Sequence, residues 1–473
     1  MPPSAPGAIR RHTAARRRPS AVLPGIDLEH VSGAIVLRFG TPSPGEWNNA
    51  FTTAVAGLLS HCRADARARA VVLTGPRLFE DTAGQADITP LLAAITAPGH
   101  FVVAAIPGNA MGTGLELALT CHARTATPAA RLGFPGILRG TLPLNGGIAR
   151  LARLLAPEAA LEMLGFGTPL PAPLAQRLGM LDAVATDPID IALATQPMPP
   201  GLSPHLDPRP LHAILRRRAP GEAAPQAALQ SLTQALSQPP QRALAEAKHL
   251  AATLAASPQG LALRHATLAE ATPPPGTAAP ALRWALLREA IHLVDEGATP
   301  QAVDLALRRF GFRTAPLTAA DQEGLDRIAQ TCIDPRPDAW HQYSPLLDLL
   351  LDAGRTGRTA GAGWYRYAPA DPRPLPDPAL APLLAESARA ACRRRRPVEE
   401  AEITARCIAA LASEAARLID QGLAPLAADA LSLQLGFPRW RGGIWHHVQA
   451  TGPATIAAQL AAMPTAPPSP LSA

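Results

Sequence analysis

Short apolar runs alternate with helical patterns along the first third of the chain. The runs at residues 33–39, 68–74 and 100–106 are largely apolar, which is typical of strands covered on both faces of a sheet. Residues 47–61, between the first two runs, carry the hydrophobic spacing of an amphipathic helix. This alternation predicts an α/β architecture for the N-terminal part of the chain.

The pattern changes after about residue 187, where strand signals nearly vanish. Proline-rich stretches then separate segments that have the spacing of amphipathic helices. These segments predict helices at residues 242–256, 258–271, 281–296, 300–310, 318–332, 383–395 and 399–421. We therefore expect the C-terminal part of the chain to be all-α.

Two of the helical segments resemble each other. The first reads REAIHLVDEGATPQAVDLALRRFGF from Arg288, and the second reads SEAARLIDQGLAPLAADALSLQLGF from Ser413. Both place Asp-x-Gly and Gly-Phe at the same separation, which favours an internal duplication. Chance similarity between helices rich in alanine and leucine is the alternative.

The positive charge is concentrated at the N-terminus. The formal net charge is +6, and five arginines precede the first acidic residue, Asp27. Aromatic residues make up only 4% of the chain, so the basic and aromatic surface of a nucleic-acid-binding protein is not expected. Residues 1–26 are predicted to be a disordered basic arm, with a transit peptide or an over-extended start site as alternatives. No apolar run of about 18 residues predicts a membrane span.

The cysteines and histidines predict no metal site. The five cysteines form no CxxC pair, and their odd number favours a reduced, cytoplasmic compartment. His446 and His447 are adjacent but lack the spacing of zinc ligands. The cysteines, each interpreted as a buried structural thiol, are Cys62, Cys121, Cys332, Cys392 and Cys407.

A glycine-rich loop follows the third predicted strand. The chain runs from this strand through Gly108 to Gly112, Thr113 and Gly114, and then into a helical pattern at residues 115–121. A helix start offers free amide N–H groups and the positive end of the helix dipole, which suit the oxyanion of a thioester enolate. An ordinary strand–turn–helix connection is the alternative. The spacing G-x-x-x-G-x-G differs from the dinucleotide-binding pattern G-x-G-x-x-G, which occurs nowhere in the chain.

Residues 104–143, AAIPGNAMGTGLELALTCHARTATPAARLGFPGILRGTLP, resemble the crotonase (enoyl-CoA hydratase/isomerase) family. The family pattern is A-I-x-G-x-x-x-G-G-G-x-E-L-A-L-x-C-D. Upstream, Ala86-Asp87-Ile88 matches the family's G-A-D-I segment, and the resemblance extends over residues 27–187. It implies a crotonase-like ββα spiral that binds a coenzyme A thioester.

The resemblance also implies roles for individual residues. The backbone N–H groups of Ala86 and Thr113 would form an oxyanion hole, and Glu116 would be the first of two acid/base glutamates. Without the resemblance, Glu116 is equally a helix-start residue. The positions that would contact substrate are Asp87, Gly112, Gly136 and Pro143.

The sequence departs from the family pattern at three places. Thr113 replaces a glycine, and Glu80 and Asp81 lie in a short insertion before Ala86. The largest departure is Gly136, which stands where the family has its second glutamate. One positioned acid/base group contributes about 10²–10⁴-fold to a rate, so we expect hydration with two glutamates to be impaired.

The second half resembles the C-terminal helical domain of 3-hydroxyacyl-CoA dehydrogenases. The family phrase E-G-x-x-x-x-x-I-D-x-A is matched at Glu296-Gly297, Val303-Asp304 and Ala306, and Gly-Phe follows at Gly311-Phe312. Residues 354–367, GRTGRTAGAGWYRY, match a second family phrase. The second repeat ends in residues 436–443, GFPRWRGG, which are again a family phrase.

Residues 243–271 resemble the linker helix of multifunctional β-oxidation enzymes, in which an NAD-binding domain follows. Here three prolines and then the helical domain follow, with no βαβ pattern between them. The chain resembles a multifunctional fatty-acid β-oxidation enzyme that lacks its NAD-binding Rossmann domain. No NAD is therefore expected.

These observations predict an α/β crotonase-like domain followed by all-α repeats. The predicted boundaries are a disordered arm at 1–26, a crotonase-like domain at 27–187, a linker with helices at 188–280, helical repeats at 281–375 and 376–463, and a disordered tail at 464–473. The predicted function is acyl-CoA binding with a reduced catalytic set and, if active, hydratase or isomerase chemistry. The alternative is a catalytically dead pseudoenzyme that acts as a scaffold or subunit partner. A protein partner or self-association would involve the helical domain.

Overall fold

The computed structural model describes residues 20–23, 25–40, 48–76, 78–81, 87–99, 101–195, 207–273, 278–332, 344–369, 371–392 and 394–461. The chain forms two compact units: residues 1–218 with 223–256, and residues 219–222 with 257–473. None of the helices within the described ranges is long and apolar enough to cross a bilayer.

The first unit contains a seven-stranded sheet and a three-stranded sheet. Its strands are β1 (Ser20–Leu23), β2 (Ile26–Val31), β3 (Ala34–Phe39), β4 (Ala70–Thr74), β5 (Phe101–Ile106), β6 (Ala110–Met111), β7 (Ala123–Ala126), β8 (Arg131–Gly133), β9 (Leu170–Pro171) and β10 (Ala183–Val184). Its helices are α1 (Asn49–Arg63), α2 (Thr89–Thr96), α3 (Gly112–Thr120), α4 (Gly147–Leu154), α5 (Pro157–Gly165), α6 (Ala172–Arg177), α7 (Pro188–Ala194), α8 (Pro208–Arg218), α9 (Ala223–Ser237) and α10 (Pro240–Ala256).

The main sheet has the strand order β1-β2-β3-β4-β5-β7-β10. The first three strands pair antiparallel, and from β3 onwards each neighbour is parallel. The three strands predicted from apolar runs are the adjacent strands β3, β4 and β5. Val36, Val72 and Val103, one from each, are fully buried in the same cluster, because parallel strands with both faces covered need apolar side chains throughout.

Two predicted boundaries of this unit are wrong. The arm was predicted to be disordered through residue 26, but β1 pairs antiparallel with β2; residues 1–19 lie outside the described ranges. The predicted linker begins at residue 188, yet α7 packs on the sheet, where Ala192 joins the buried valine cluster. Helices α8, α9 and α10 also belong to this unit, since α9 packs against α4, α5 and α10.

The second unit is mostly helical. Its helices are α11 (Pro258–Glu270), α12 (Ala279–Glu296), α13 (Pro300–Phe310), α14 (Pro316–Glu323), α15 (Leu325–Cys332), α16 (Leu346–Asp352), α17 (Leu380–Ala390), α18 (Glu400–Asp420), α19 (Pro425–Gln434), α20 (Ile444–Thr451) and α21 (Pro453–Ala461). The prediction of a helical C-terminal part is confirmed, and a small antiparallel ribbon of β11 (Arg366–Ala368) and β12 (Asp371–Leu375) accompanies the helices. The predicted tail at 464–473 lies outside the described residues.

The helices support the internal duplication. Helices α12–α15 of the first repeat correspond in order to α18–α21 of the second, and α12 packs against α18. The matched glycines lie just after the second helix of each repeat: Gly311 directly follows α13, and Gly436 follows α19 after one residue. Their φ angles of +119° and +92° favour glycine. The phenylalanines after them, Phe312 and Phe437, meet edge to face with ring centroids 5.5 Å apart.

Each repeat uses a buried aspartate to hold the start of its third helix. In the first repeat, the Asp304 carboxylate accepts hydrogen bonds from the backbone N–H groups of Leu317 and Thr318, both at 3.0 Å. In the second, Asp429 accepts from Trp445 N–H at 2.6 Å and from His446 N–H at 3.1 Å. A carboxylate is favoured there by the free N–H groups and the helix dipole.

We expect Asp304→Ala to lower the free energy of unfolding by about 3 kcal/mol, because it leaves several buried donors without an acceptor. Those donors include Thr318 Oγ1 at 2.6 Å and Tyr365 OH at 2.9 Å. Denaturant unfolding followed by tryptophan fluorescence measures the change, since five of the six tryptophans lie after residue 257. The matched control is Asp352→Ala at an exposed position; equal stability of the two variants would contradict this role of Asp304.

Candidate active site

The start of α3 is fixed by a close backbone approach. Met111 N–H donates to the Phe79 carbonyl at 2.8 Å. A Cβ atom at Gly114 would lie 2.1 Å from the same carbonyl oxygen, so any other residue would force the two segments apart. This contact holds the Phe79 backbone against the first turn of α3. That turn contains the glycine-rich loop identified in the sequence.

Glu116 is buried on α3, with 2% of its surface exposed. Its Oε1 accepts from Asn145 N–H at 2.7 Å and from Gly147 N–H at 3.0 Å, and its Oε2 accepts from Asn145 Nδ2 at 2.9 Å. Burial raises the pKa of Glu116 above its ordinary value, while these hydrogen bonds act in the opposite direction. The donors that orient the carboxylate therefore lie just before and at the start of α4.

Asp81 lies against the first turn of α3. Its Oδ1 accepts from Thr113 N–H at 3.4 Å and from Thr113 Oγ1 at 3.3 Å. Its Oδ2 pairs with the Arg139 guanidinium at 2.5 Å. The predicted oxyanion donor Thr113 thus faces a carboxylate of its own chain.

A cavity of about 210 Å³ connects these groups. Both carboxylates, Asp81 and Glu116, line it together with Arg139, and the rest of the wall is largely apolar or backbone. The remaining lining residues are Gly112, Thr113, Phe134, Gly136, Ile137, Thr141, Leu142, Pro143, Leu144 and Asn145.

The space beside Gly136 is partly filled by Thr141. A Cβ atom at Gly136 would lie 2.6 Å from Thr141 Oγ1, which donates a hydrogen bond to the Gly136 carbonyl at 3.0 Å. A side chain at position 136 therefore requires that the threonine hydroxyl moves. Gly136 and Thr141 are sterically coupled.

The structure brings most of the predicted site residues together. Thr113 and Glu116 share the cavity with three of the four predicted substrate-contacting residues, Gly112, Gly136 and Pro143. Ala86, the other predicted oxyanion donor, lies outside the described residues.

Asp87 is placed elsewhere. It is exposed, and its carboxylate accepts from Thr89 N–H at 2.9 Å at the start of α2, a bond that lowers the pKa of Asp87. It is not among the residues that line the cavity.

Sequence reasoning missed the residues that position the carboxylates. Asn145 holds Glu116, and Arg139 holds Asp81, but neither was singled out. Asp81 was noted only as part of an insertion. The insertion was a usable signal, since extra acidic residues beside a predicted anion-binding helix start introduce a competing carboxylate.

The arrangement is suited to moving a proton next to a polarised carbonyl. Glu116 is a buried carboxylate with raised pKa, and Thr113 N–H is a main-chain donor on the same cavity. Gly136 contributes no acid or base. Among the described residues there is also no group of three or more histidine, cysteine, aspartate or glutamate side chains placed to hold a metal ion.

Comparison with protein families identifies two regions of the chain. Residues 77–190 match the enoyl-CoA hydratase/isomerase family, and residues 279–367 match the 3-hydroxyacyl-CoA dehydrogenase C-terminal domain. The first match contains α3 and the whole cavity, and the second contains Asp304. The resemblance to crotonases fused to dehydrogenase C-terminal domains is confirmed.

The curated relatives are longer proteins. The chain is 32% identical to the peroxisomal bifunctional enzyme of Danio rerio over 272 residues, which cover 51% of this chain and 38% of the relative. It is 32% identical to the peroxisomal bifunctional enzyme of Homo sapiens, covering 36% of this chain and 26% of that protein. A peroxisomal fatty acid beta-oxidation multifunctional protein of Arabidopsis thaliana is 48% identical, covering 20% and 13% respectively. The chain thus spans less than two fifths of these relatives.

Solved structures with similarity to this chain include two putative enzymes. A putative enoyl-CoA hydratase from Streptomyces avermitilis aligns with a TM-score of 0.36 and 21% identity, covering 53% of this chain and 91% of that one. A putative enoyl-CoA hydratase/isomerase from Acinetobacter baumannii aligns with a TM-score of 0.36 and 20% identity, covering 51% and 100%.

We expect Asn145→Ala to raise the pKa of Glu116 further, because it removes one of the hydrogen bonds that stabilise the ionised carboxylate. It should also lower the free energy of unfolding by about 2 kcal/mol, the scale of a hydrogen bond to a charged group. A pH titration by ¹³C NMR of the glutamate carboxyl carbons measures the pKa, and loss of one signal in Glu116→Gln identifies Glu116. Asn109→Ala is the control, since Asn109 bonds to Arg131 N–H instead. An unchanged titration in Asn145→Ala would contradict the assignment.

Proposed function

We propose that the first unit binds an acyl-CoA thioester at the cavity beside α3 and has a reduced catalytic set. The proposal rests on one observation: Glu116 and Thr113 N–H line the same cavity, whereas position 136 has no side chain. The enoyl-CoA hydratase/isomerase match over residues 77–190 supports a coenzyme A thioester as the ligand. In this proposal the acyl carbonyl lies at the start of α3, and the acyl carbons lie towards Glu116.

The chemistry that one carboxylate supports is a proton shift. Ionised Glu116 takes a proton from a carbon next to the double bond of an enoyl thioester, and the electron pair moves onto the carbonyl oxygen. Thr113 N–H then donates to the resulting enolate oxygen. Glu116 returns the same proton to a different carbon, so the double bond shifts and no atom is gained or lost.

Hydration is disfavoured by the same geometry. Adding water needs a base for the water and an acid for the α-carbon, and Gly136 supplies neither. Losing one such group costs about 10²–10⁴-fold in rate, or roughly 3–5 kcal/mol of activation free energy. We therefore propose slow isomerase or proton-exchange activity in preference to hydratase activity.

A pseudoenzyme that serves as a scaffold or subunit partner is the second candidate. It is favoured by the contact between Asp81 and Thr113 N–H, which occupies the predicted oxyanion donor. Calorimetric titration with acyl-CoA separates the candidates. Binding without turnover favours the pseudoenzyme, and absence of binding favours a purely structural role.

The second unit is proposed to have no dehydrogenase activity. Helix α11 ends at Glu270 and α12 begins at Ala279, so the intervening chain is too short for the roughly 30 residues of a βαβ unit. We propose that this unit contributes a surface for a protein partner or for self-association. A cytoplasmic location stays a prediction.

We expect Glu116→Gln to lower the rate of α-proton exchange or double-bond isomerisation of a 3-enoyl-CoA by about 10²–10⁴-fold, because glutamine cannot accept the proton. In the unsubstituted protein the rate should rise with pH through the raised pKa of Glu116, since the ionised form is the base. Exchange in D₂O followed by NMR measures the rate. Glu158→Gln, at an exposed position on α5, is the control. If the unsubstituted protein reacts no faster than Glu116→Gln, the proposal that it is an enzyme is wrong.

We expect Gly136→Glu combined with Thr141→Ala to raise hydration of a 2-enoyl-CoA by about 10²-fold or more, because the pair supplies the missing acid/base group and space for it. Gly136→Glu alone should gain less, because its Cβ meets Thr141 Oγ1. Loss of absorbance of the conjugated enoyl thioester measures hydration. Thr141→Ala alone is the control, and no gain in a folded double variant would show that the cavity does not hold the thioester as proposed.

A further inference from the structure

The Asp81 carboxylate lies where an incoming thioester oxygen would have to lie. An oxygen held by Thr113 N–H must approach within about 3 Å of the nitrogen, and Asp81 Oδ1 is 3.4 Å from it. The space beside it is also taken, because a Cβ atom at Gly112 would lie 2.4 Å from Asp81 Cγ. The first turn of α3 is therefore covered by this carboxylate.

Among the described residues, Thr113 and Arg139 hold the carboxylate in place. Thr113 contributes its N–H and its hydroxyl, and Arg139 contributes its guanidinium. Hydrogen bonds to a charged group are stronger than those between neutral groups, so such a carboxylate does not leave without cost. The side chains are not sealed from solvent: Asp81 is 18% exposed and Arg139 is 36% exposed. The contact is therefore accessible to solvent.

We propose that Asp81 is an intramolecular competitor of the thioester oxygen and sets how tightly the cavity binds an acyl-CoA. The inference rests on the proposed function of the first unit. One N–H cannot donate fully to two oxygens, so the thioester binds in the competent position only in the fraction of molecules where Asp81 has left. The apparent affinity is reduced by that fraction. Asp81 therefore weakens the binding of every acyl thioester by the same factor.

The experiment is calorimetric titration of the full chain with butyryl-CoA, a saturated thioester that cannot isomerise. Asp81→Ala should bind roughly ten- to a hundredfold more tightly, the effect of removing one charged hydrogen-bond competitor. Asp81→Asn, which keeps an acceptor but no charge, should show a smaller gain and serves where the alanine variant does not fold. The matched control is Glu80→Gln, which removes the neighbouring negative charge and should leave the affinity unchanged.

Acetate distinguishes occupancy of the site from a general effect of charge. In Asp81→Ala, acetate should bind in place of the missing carboxylate and weaken butyryl-CoA binding towards the value of the unsubstituted protein. Chloride at equal ionic strength is the control, and the unsubstituted protein should respond equally to both salts.

The outcomes separate this inference from the proposed function. Equal affinity of Asp81→Ala and the unsubstituted protein overturns the competition while leaving acyl-CoA binding intact. A gain shared by Glu80→Gln, or a response to acetate no greater than to chloride, also overturns it. Absence of butyryl-CoA binding in every variant overturns the proposed function itself.

Discussion

The candidate site depends on the contact between the Phe79 backbone and the start of α3. Met111 N–H bonds to the Phe79 carbonyl, and Gly114 allows the two backbones to approach without a side chain between them. This contact sets the position of Asp81 two residues later, and it sets the direction of the first turn of α3. Thr113 N–H, the Glu116 carboxylate and their cavity follow from that direction. A wider separation would remove the Asp81 contact and the donor geometry together.

The same physical device occurs in both units and has different consequences in each. Asp81, Asp304 and Asp429 all place a carboxylate at the start of a helix, where N–H groups lack partners within the helix. Asp304 and Asp429 are 4% and 1% exposed, so their bonds hold the helices together. Asp81 borders a cavity and pairs with a partly exposed arginine. The two buried carboxylates are structural, whereas Asp81, beside the cavity, is the one that we propose competes with a ligand.

The local features of the fold could be predicted from the sequence. The apolar runs predicted β3, β4 and β5, and the spacing at residues 47–61 predicted α1, because these elements depend on periodicity within a few residues. The repeat was detectable because its glycines and aspartates have fixed separations. The strand β1 was missed because its four residues are too few to show a periodic pattern.

The site was predictable only in part, for a related reason. Thr113 and Glu116 lie within one contiguous motif, so they were identified. Asn145 lies 29 residues from Glu116, and Asp81 lies 32 residues from Thr113. Contacts over such separations depend on how β6, α3 and the loop before α4 pack, which no local pattern records. Family resemblance gives the positions of the site residues but not the side chains that bond to them in this chain.

Gly136 is coupled to its neighbours in the cavity. The Thr141 hydroxyl bonds to the Gly136 carbonyl and fills part of the space beside it. Asp81 contributes a negative charge to the same cavity. It is paired with Arg139, which lies three residues after Gly136. A carboxylate at 136 would therefore meet both a steric neighbour and a like charge in the same cavity, and like charges in a low-dielectric site raise each other's pKa. Introducing a carboxylate at position 136 is for this reason a change to a coupled set of residues and not to one position.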